Sequence, residues 1–341
     1  MFVGLDLHKK YSEFAVMDVG GNLLKQGRIE NNLEEMKGFS ESLPAQSSIV
    51  IESSSTWYWA HRLLSQRHQV TLSNPIKNKA IASAKVKTDK IDSIMLATLL
   101  RGGFVAECYV PSDETMRFRE LVRYRANLVR ERTRMKNQVH AYLLMNNVSV
   151  TAYPFSKGFV DELRKIEDPR VRGYLRLIDG LNVEIREASS TIREKAKSNE
   201  DAILLMSIPG ISFFSALLII SEIGEIGRFE DSSSLVGYSG LAPSTHSSGG
   251  KTYHGPIMKS GSRYLRWIMG QCARVNMRAE PDGTIATFYR RLAKKKGDQK
   301  ATARIFRQLA RAGFGSKTIF AILKKWDVDD ETLSVLESES G

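Results

Sequence analysis

Along the first hundred residues the apolar positions come in short runs separated by glycine and polar turns, the pattern of strands. Residues 2–8 (Phe-Val-Gly-Leu-Asp-Leu-His) and 12–19 (Ser-Glu-Phe-Ala-Val-Met-Asp-Val) read as two strands. Gly20 and Gly21 supply a hairpin turn into a third strand over residues 22–29. A polar helix is expected at about 31–43. The apolar run of residues 48–52, which ends in Glu52, has the pattern of a buried central strand. A helix near 56–67, a strand over 69–72 and a helix opening at Thr88 complete this unit.

Three antiparallel strands followed by strand–helix repeats describe an α/β, RNase H-like domain over residues 1–110. In that arrangement the strands carrying Asp6 and Glu52 are neighbours, so the two carboxylates converge at one end of the sheet. Asp89 and Asp92 stand three residues apart at the start of the helix opening at Thr88 and leave it on one face. Burying four unpaired acids together costs several kcal/mol, on the order expected for isolated buried charges, unless a cation joins them. Mg²⁺ (or Mn²⁺) is the natural candidate, since it takes a few carboxylates and completes its shell with water and phosphate oxygens. The plainer alternative leaves Asp89 and Asp92 as first-turn acids favoured by the helix dipole, Glu52 as a strand cap and Asp6 bonded to a turn.

Beyond Pro111 the period changes from two to that of helices. Leu121, Leu128, Met135 and Tyr142 recur every seven residues, with Val122, Val129 and Val139 widening the stripe. Val171, Tyr174, Ile178, Leu181, Ile185, Ala188 and Ile192 alternate three and four apart. Residues 111–200 are therefore read as long coiled-coil-like helices, an antiparallel pair or an oligomer contact. The span 117–136 holds seven arginines against two glutamates. Arg117, Arg119, Arg123, Arg125, Arg130, Arg132, Arg134 and Lys136 are candidate phosphate contacts, set against the alternative of a solvated face.

Residues 201–326 are expected to form a mainly α C-terminal domain. Residues 203–226 read as two short helices joined at Ile208-Pro209-Gly210-Ile211, a helix-hairpin-helix-like turn whose backbone at Gly210 offers N–H groups to a phosphate. The polar stretch from Tyr238 to Lys251 reads as a flexible loop. Its serines stand close in sequence to Lys251, Lys259, Arg263 and Arg266, a hydroxyl beside cations that hold a phosphate.

Net charge is +12, with 50 Lys and Arg against 38 Asp and Glu. Residues 327–341 form an acidic tail with six acids and no base, expected to be disordered, and the remaining 50 bases against 32 acids leave +18. Such a surplus draws a polyanion, nucleic acid first. Cys108 and Cys272 stand far apart without metal-ligand spacing, which argues against a zinc site and a disulfide framework. No apolar run approaches membrane-spanning length and the chain opens without a leader pattern, so a cytoplasmic protein is expected.

Asp6, Glu52, Thr88-Asp89-x-x-Asp92, Ile208-Pro-Gly-Ile, Gly240-Leu-Ala-Pro and Ser248-Gly249, in this order, resemble the DEDD-type insertion-sequence transposases. These pair a RuvC-like N-terminal domain with a serine-bearing C-terminal domain and include bridge-RNA-guided recombinases. The resemblance extends to about residue 325. It implies that Asp6, Glu52, Asp89 and Asp92 hold Mg²⁺ and that Ser248, the serine directly before a glycine, is the nucleophile, with Ser247 adjacent. It further implies donor and target DNA as substrates, a structured non-coding guide RNA, and a dimer or tetramer in which acids and serine meet between protomers. His8 is not required by the motif and is assigned no role.

Overall fold

The computed structural model describes residues 1–81, 89–248, 251–258 and 261–296. Thr88, Lys259, the acidic tail and the side chains of Ser247, Ser248 and Lys251 lie outside the described part. The chain divides into two compact units, Met1–Val110 and Pro111–Gly341.

The first unit is a five-stranded mixed sheet with helices on both faces. Its elements are β1 (Phe2–Leu7), β2 (Tyr11–Met17), β3 (Leu23–Glu30), α1 (Leu33–Ser42), β4 (Ser48–Glu52), α2 (Trp57–Leu64), β5 (Gln69–Ser73), α3 (Pro75–Ile81) and α4 (Asp89–Gly102). The sheet order is β3-β2-β1-β4-β5. β1, β2 and β3 run antiparallel, whereas β4 lies parallel to both β1 and β5. Ile49, Val50 and Ile51 are all fully buried, as a central strand covered on both faces requires. Along β1 the odd positions Val3, Leu5 and Leu7 enter a core with Met36, Phe39, Ala60 and Leu64 from α1 and α2. The even positions turn to the other face, where Ala15, Met17, Phe2 and Ala97 pack beneath α4. Helix α2 stops at Leu64, short of the expected 67, where the Gln66 and Arg67 N–H groups bond only three residues back, to the Leu63 and Leu64 carbonyls, in a turn leading into β5.

The second unit holds α5 (Asp113–Met145), α6 (Lys157–Arg164), α7 (Pro169–Lys197), α8 (Glu200–Met206), α9 (Phe213–Ile223), α10 (Ser232–Ser239), β6 (Pro243–Ser248), β7 (Lys251–Ile257), α11 (Arg263–Ala279) and α12 (Thr284–Lys296). Helices α5 and α7 pack antiparallel within one chain: Arg132 reaches Asn182, Tyr124 reaches Glu184 and Arg170 lies over Tyr142. The buried seam of α7 is Val171, Leu175, Ile178, Ile185, Ala188, Ile192 and Ala196. Leu175 and Ala196 join it, while Tyr174 and Leu181 are only half-buried, because a straight helix drifts from a strict seven-residue repeat. Val122, Ala126 and Ile192 of the expected helical middle pack in one core with α9 and α11 of the expected C-terminal domain.

One reading is corrected here. The stretch from Tyr238 to Lys251, expected to be a flexible loop, contains most of an antiparallel hairpin, with Ser248 opposite Lys251, Ser247 opposite Thr252 and His246 opposite Tyr253. Only Gly249 and Gly250 separate the strands in sequence, the two-residue connection that favours a tight hairpin. The serines and histidines around it obscured the period of two.

Candidate functional site

Asp6 is the only acid of β1 and is 8% exposed. Its backbone register partner on β2 is Glu13, which is also buried. Glu52 follows Ile51, the last residue of β4 paired with β1, as Asp6 follows Leu5, so the two acids stand one step past the same pair. α4 lies directly across this face because Gly4 has no side chain, and a Cβ there would collide with the Ser93 carbonyl and the Ala97 amide. That approach brings the first turn of α4, with Asp89 and Asp92, to the end of β1.

The two neighbouring buried acids have different partners. Glu13 accepts from Arg28 Nε at 2.7 Å, and the same guanidinium lies 4.0 Å from the centre of the Tyr11 ring. Among the described residues Asp6 makes no ion pair with an arginine; the His8 imidazole stands beside it, its Nε2 3.1 Å from Asp6 Oδ2 and 3.2 Å from Asp89 Oδ2. Burial holds the Asp6 carboxyl above the usual range; His8 opposes this, and the charges of Asp92 and Asp89 add to it. Tyr11 donates its hydroxyl to Asp89 Oδ2 at 3.1 Å. Asp6, His8 and Asp89 each place a donor atom within 4.8 Å of the others, and Glu52 and Asp92 stand outside that triangle. Two carboxylates and an imidazole at this spacing fit a divalent cation. His8 escaped the sequence reading; the available signal was its position two residues after Asp6, one step past the end of β1.

The second set of residues surrounds the hairpin. The Gly261 backbone lies so close to the Tyr238 carbonyl, at φ +85°, that a side chain has no room. Ser262 caps α11 and donates to Glu222 Oε2 at 2.8 Å. Glu222 is 1% exposed and takes two hydrogen bonds from Arg123, at 2.7 and 2.9 Å. Arg266 donates to the carbonyls of Ser239 and Gly261, both at 3.1 Å, which ties the two ends of the hairpin segment together. Arg263 is exposed in the first turn of α11, over the Tyr264 ring.

A DEDD transposase model of the IS110 type matches residues 3–146, and the model of the IS116/IS110/IS902 transposase family matches residues 202–290. This chain belongs to the IS110-type transposases. It is 26% identical to the putative transposase y4qE of Sinorhizobium fredii, over 80% of this chain and 70% of that one. It is 27% identical to the transposase for insertion sequence element IS1328 of Yersinia enterocolitica, over 81% and 83%. It is 26% identical to the pilin gene-inverting protein of Moraxella bovis, over 78% and 79%. The transposase is accordingly an enzyme of DNA strand cleavage and rejoining. Among the described residues no helix is long and apolar enough to cross a membrane.

The basic run of the transposase divides by structure. Arg119 donates to the Ser221 and Glu222 carbonyls, and Arg123 is held by the Glu222 carboxylate. Arg125 lies 4.2 Å from the Phe214 ring centre and donates to Ser189, so these three guanidiniums tie α5 to α9 and α7. Arg132 donates to Asn182, and Lys136 sits over Phe155. Arg117, Arg130 and Arg134 are exposed; Arg130 donates to Asn127 and Arg134 stands 3.7 Å from Glu131. Gly210, expected to offer its backbone to phosphate, adopts φ +94° and packs against α11, where a Cβ would lie 2.7 Å from the Asn276 amide nitrogen. Asn276 also donates to the Pro209 carbonyl, so this turn serves the core of the second unit.

Proposed function

We propose that this transposase exchanges DNA strands through a serine nucleophile, Ser248, assisted by a divalent cation, Mg²⁺ or Mn²⁺, held by Asp6, Glu52, Asp89 and Asp92. The observation that carries the reading is the convergence of Asp6 and Asp89 on one sheet end, with Asp6 buried and making no ion pair with an arginine among the described residues. The strand order β3-β2-β1-β4-β5 supports an RNase H-like, RuvC-like N-terminal domain.

In this mechanism the Ser248 hydroxyl attacks the phosphorus of a DNA phosphodiester. A serine–phosphate bond forms, the bond to the departing strand oxygen breaks, and the serine proton ends on that oxygen. A hydroxyl from the second strand then attacks the phosphoserine and releases Ser248. Each phosphodiester is replaced by another ester, so no external energy source is required. The cation, when bound, supplies charge neutralisation of the phosphate and of the departing oxygen. Lys251, Lys259 and Arg263 neighbour the serine in sequence and are assigned to hold phosphate, while Arg266 positions the hairpin. The exposed Arg117, Arg130 and Arg134, with Arg132 and Lys136, are assigned to the nucleic-acid backbone. The +12 net charge supports donor and target DNA as partners, together with a structured guide RNA. A homo-oligomer, dimer or tetramer, belongs to the same reading.

A second reading is a metal-dependent junction nuclease without serine chemistry, since Asp6, His8 and Asp89 all lie in the first unit. Denaturing electrophoresis of the protein with substrate DNA and its RNA separates the two. A covalent protein–DNA adduct in wild type that disappears in Ser248→Ala is expected. Undiminished strand cleavage by Ser248→Ala would select the nuclease. Likeness to a pilin gene-inverting protein makes site-specific inversion a variant of the same chemistry.

A further inference from the structure

His8 stands among the carboxylates with no task in the four-acid scheme. Its Nε2 is shut off from solvent and makes no hydrogen bond of acceptable geometry, although two carboxylate oxygens lie 3.1 and 3.2 Å away. In an octahedral shell with bonds of about 2.1 Å, adjacent donors are roughly 3 Å apart. The separations around His8 are those of neighbouring ligands on one ion.

The backbone of His8 is also held in place, and its ring is packed. The His8 main-chain N–H donates to the Tyr11 carbonyl at 3.0 Å, and Asn31 donates its side-chain amide to the main-chain carbonyls of both His8 and Tyr11. The His8 and Tyr11 rings pack at 5.0 Å. Tyr11 in turn donates to Asp89 Oδ2, the same oxygen that faces His8 Nε2. A backbone anchored by hydrogen bonds and a ring packed on Tyr11 limit where Nε2 can point, as a metal ligand requires.

We propose, resting on the metal-site reading above, that His8 is a nitrogen ligand of the divalent cation and that it makes the site favour Mn²⁺ over Mg²⁺. Mg²⁺ is a hard ion that takes oxygen donors, whereas a transition-metal ion accepts an imidazole beside carboxylates. The competing arrangement of the same atoms is a protonated His8 bridging Asp6 and Asp89 as an ion pair, with any metal bound by oxygen alone.

The test uses the full-length protein and Mn²⁺ alone, by electron paramagnetic resonance titration and spin-echo envelope modulation. Expected is bound Mn²⁺ with the ¹⁴N modulation of a directly coordinated imidazole. That signal should vanish in both His8→Gln and Asp6→Asn, which excludes the other five histidines of the chain. Mn²⁺ affinity should fall roughly tenfold or more in His8→Gln, with Mg²⁺ affinity falling less. Circular dichroism checks that His8→Gln is folded; if it is not, the wild-type nitrogen signal and its loss in Asp6→Asn decide alone. Mn²⁺ that binds without nitrogen modulation and is lost in Asp89→Asn overturns the His8 ligand and leaves the carboxylate site standing. No Mn²⁺ binding, or binding indifferent to Asp6→Asn and Asp89→Asn, overturns both.

Discussion

Gly4 of β1 and Ser93 of α4 meet backbone to backbone. A Cβ on Gly4 would overlap the Ser93 carbonyl oxygen and lie 2.5 Å from the Ala97 amide nitrogen. Neither neighbour is a side chain able to swing aside. The contact sets how low α4 sits on the sheet, and hence whether Asp89 reaches His8 and Asp6. Gly4→Ala is expected to cost about 1–3 kcal/mol as an overpacking change. It should also weaken Mn²⁺ binding although no ligand is altered. Urea denaturation and metal titration check this; unchanged metal affinity would mean that the α4 position does not govern the site.

Glu222 is expected to be a structural acid. It is buried, takes two hydrogen bonds from Arg123 and one from Ser262, and its backbone carbonyl accepts from Tyr238. Glu222→Ala leaves the half-buried Arg123 without its carboxylate and removes a partner from the α11 cap, for a loss of about 1–3 kcal/mol. A double-mutant cycle with Arg123→Met, read by denaturant midpoint, should show a favourable coupling between the pair.

Gly210→Ala separates packing from phosphate binding. The added Cβ meets the Asn276 amide nitrogen at 2.7 Å and the Cys272 carbonyl at 2.9 Å, on a backbone at φ +94°. Thermal melting of the protein without nucleic acid should show the loss. A normal melting temperature with weakened DNA binding would return Gly210 to the phosphate role.

The arginines of α5 should fall into two classes. Arg117→Glu and Arg134→Glu alter exposed positions and should reduce nucleic-acid affinity while leaving the melting temperature close to wild type. Removing a phosphate contact should lower the slope of log affinity against log salt by about one. Arg119→Ala removes donors from the Ser221 and Glu222 carbonyls and should instead lower stability. Equal effects of both kinds of variant on binding and melting would remove the distinction.

The α/β character of the first unit was legible because buried strands and amphipathic helices leave short-range periodicities that need no knowledge of partners. Asp6 was legible as an anomaly, an acid inside an apolar strand. His8 was not, since a polar residue at a strand end has many ordinary explanations until Asp89, far along the chain, is seen beside it. The hairpin carrying Ser248 was hidden by residues of weak strand preference, with Gly249-Gly250 as its one local signal.

By itself, the order of residues determined the segments, the faces they bury, the family and the acids that stand out from those faces. Only tertiary structure decided which arginines turn inward and that His8 joins Asp6 and Asp89. The reason is one of range: periodicity acts over a few residues, whereas Arg119 with Ser221 and Gly4 with Ser93 are set by close approach between elements distant in sequence.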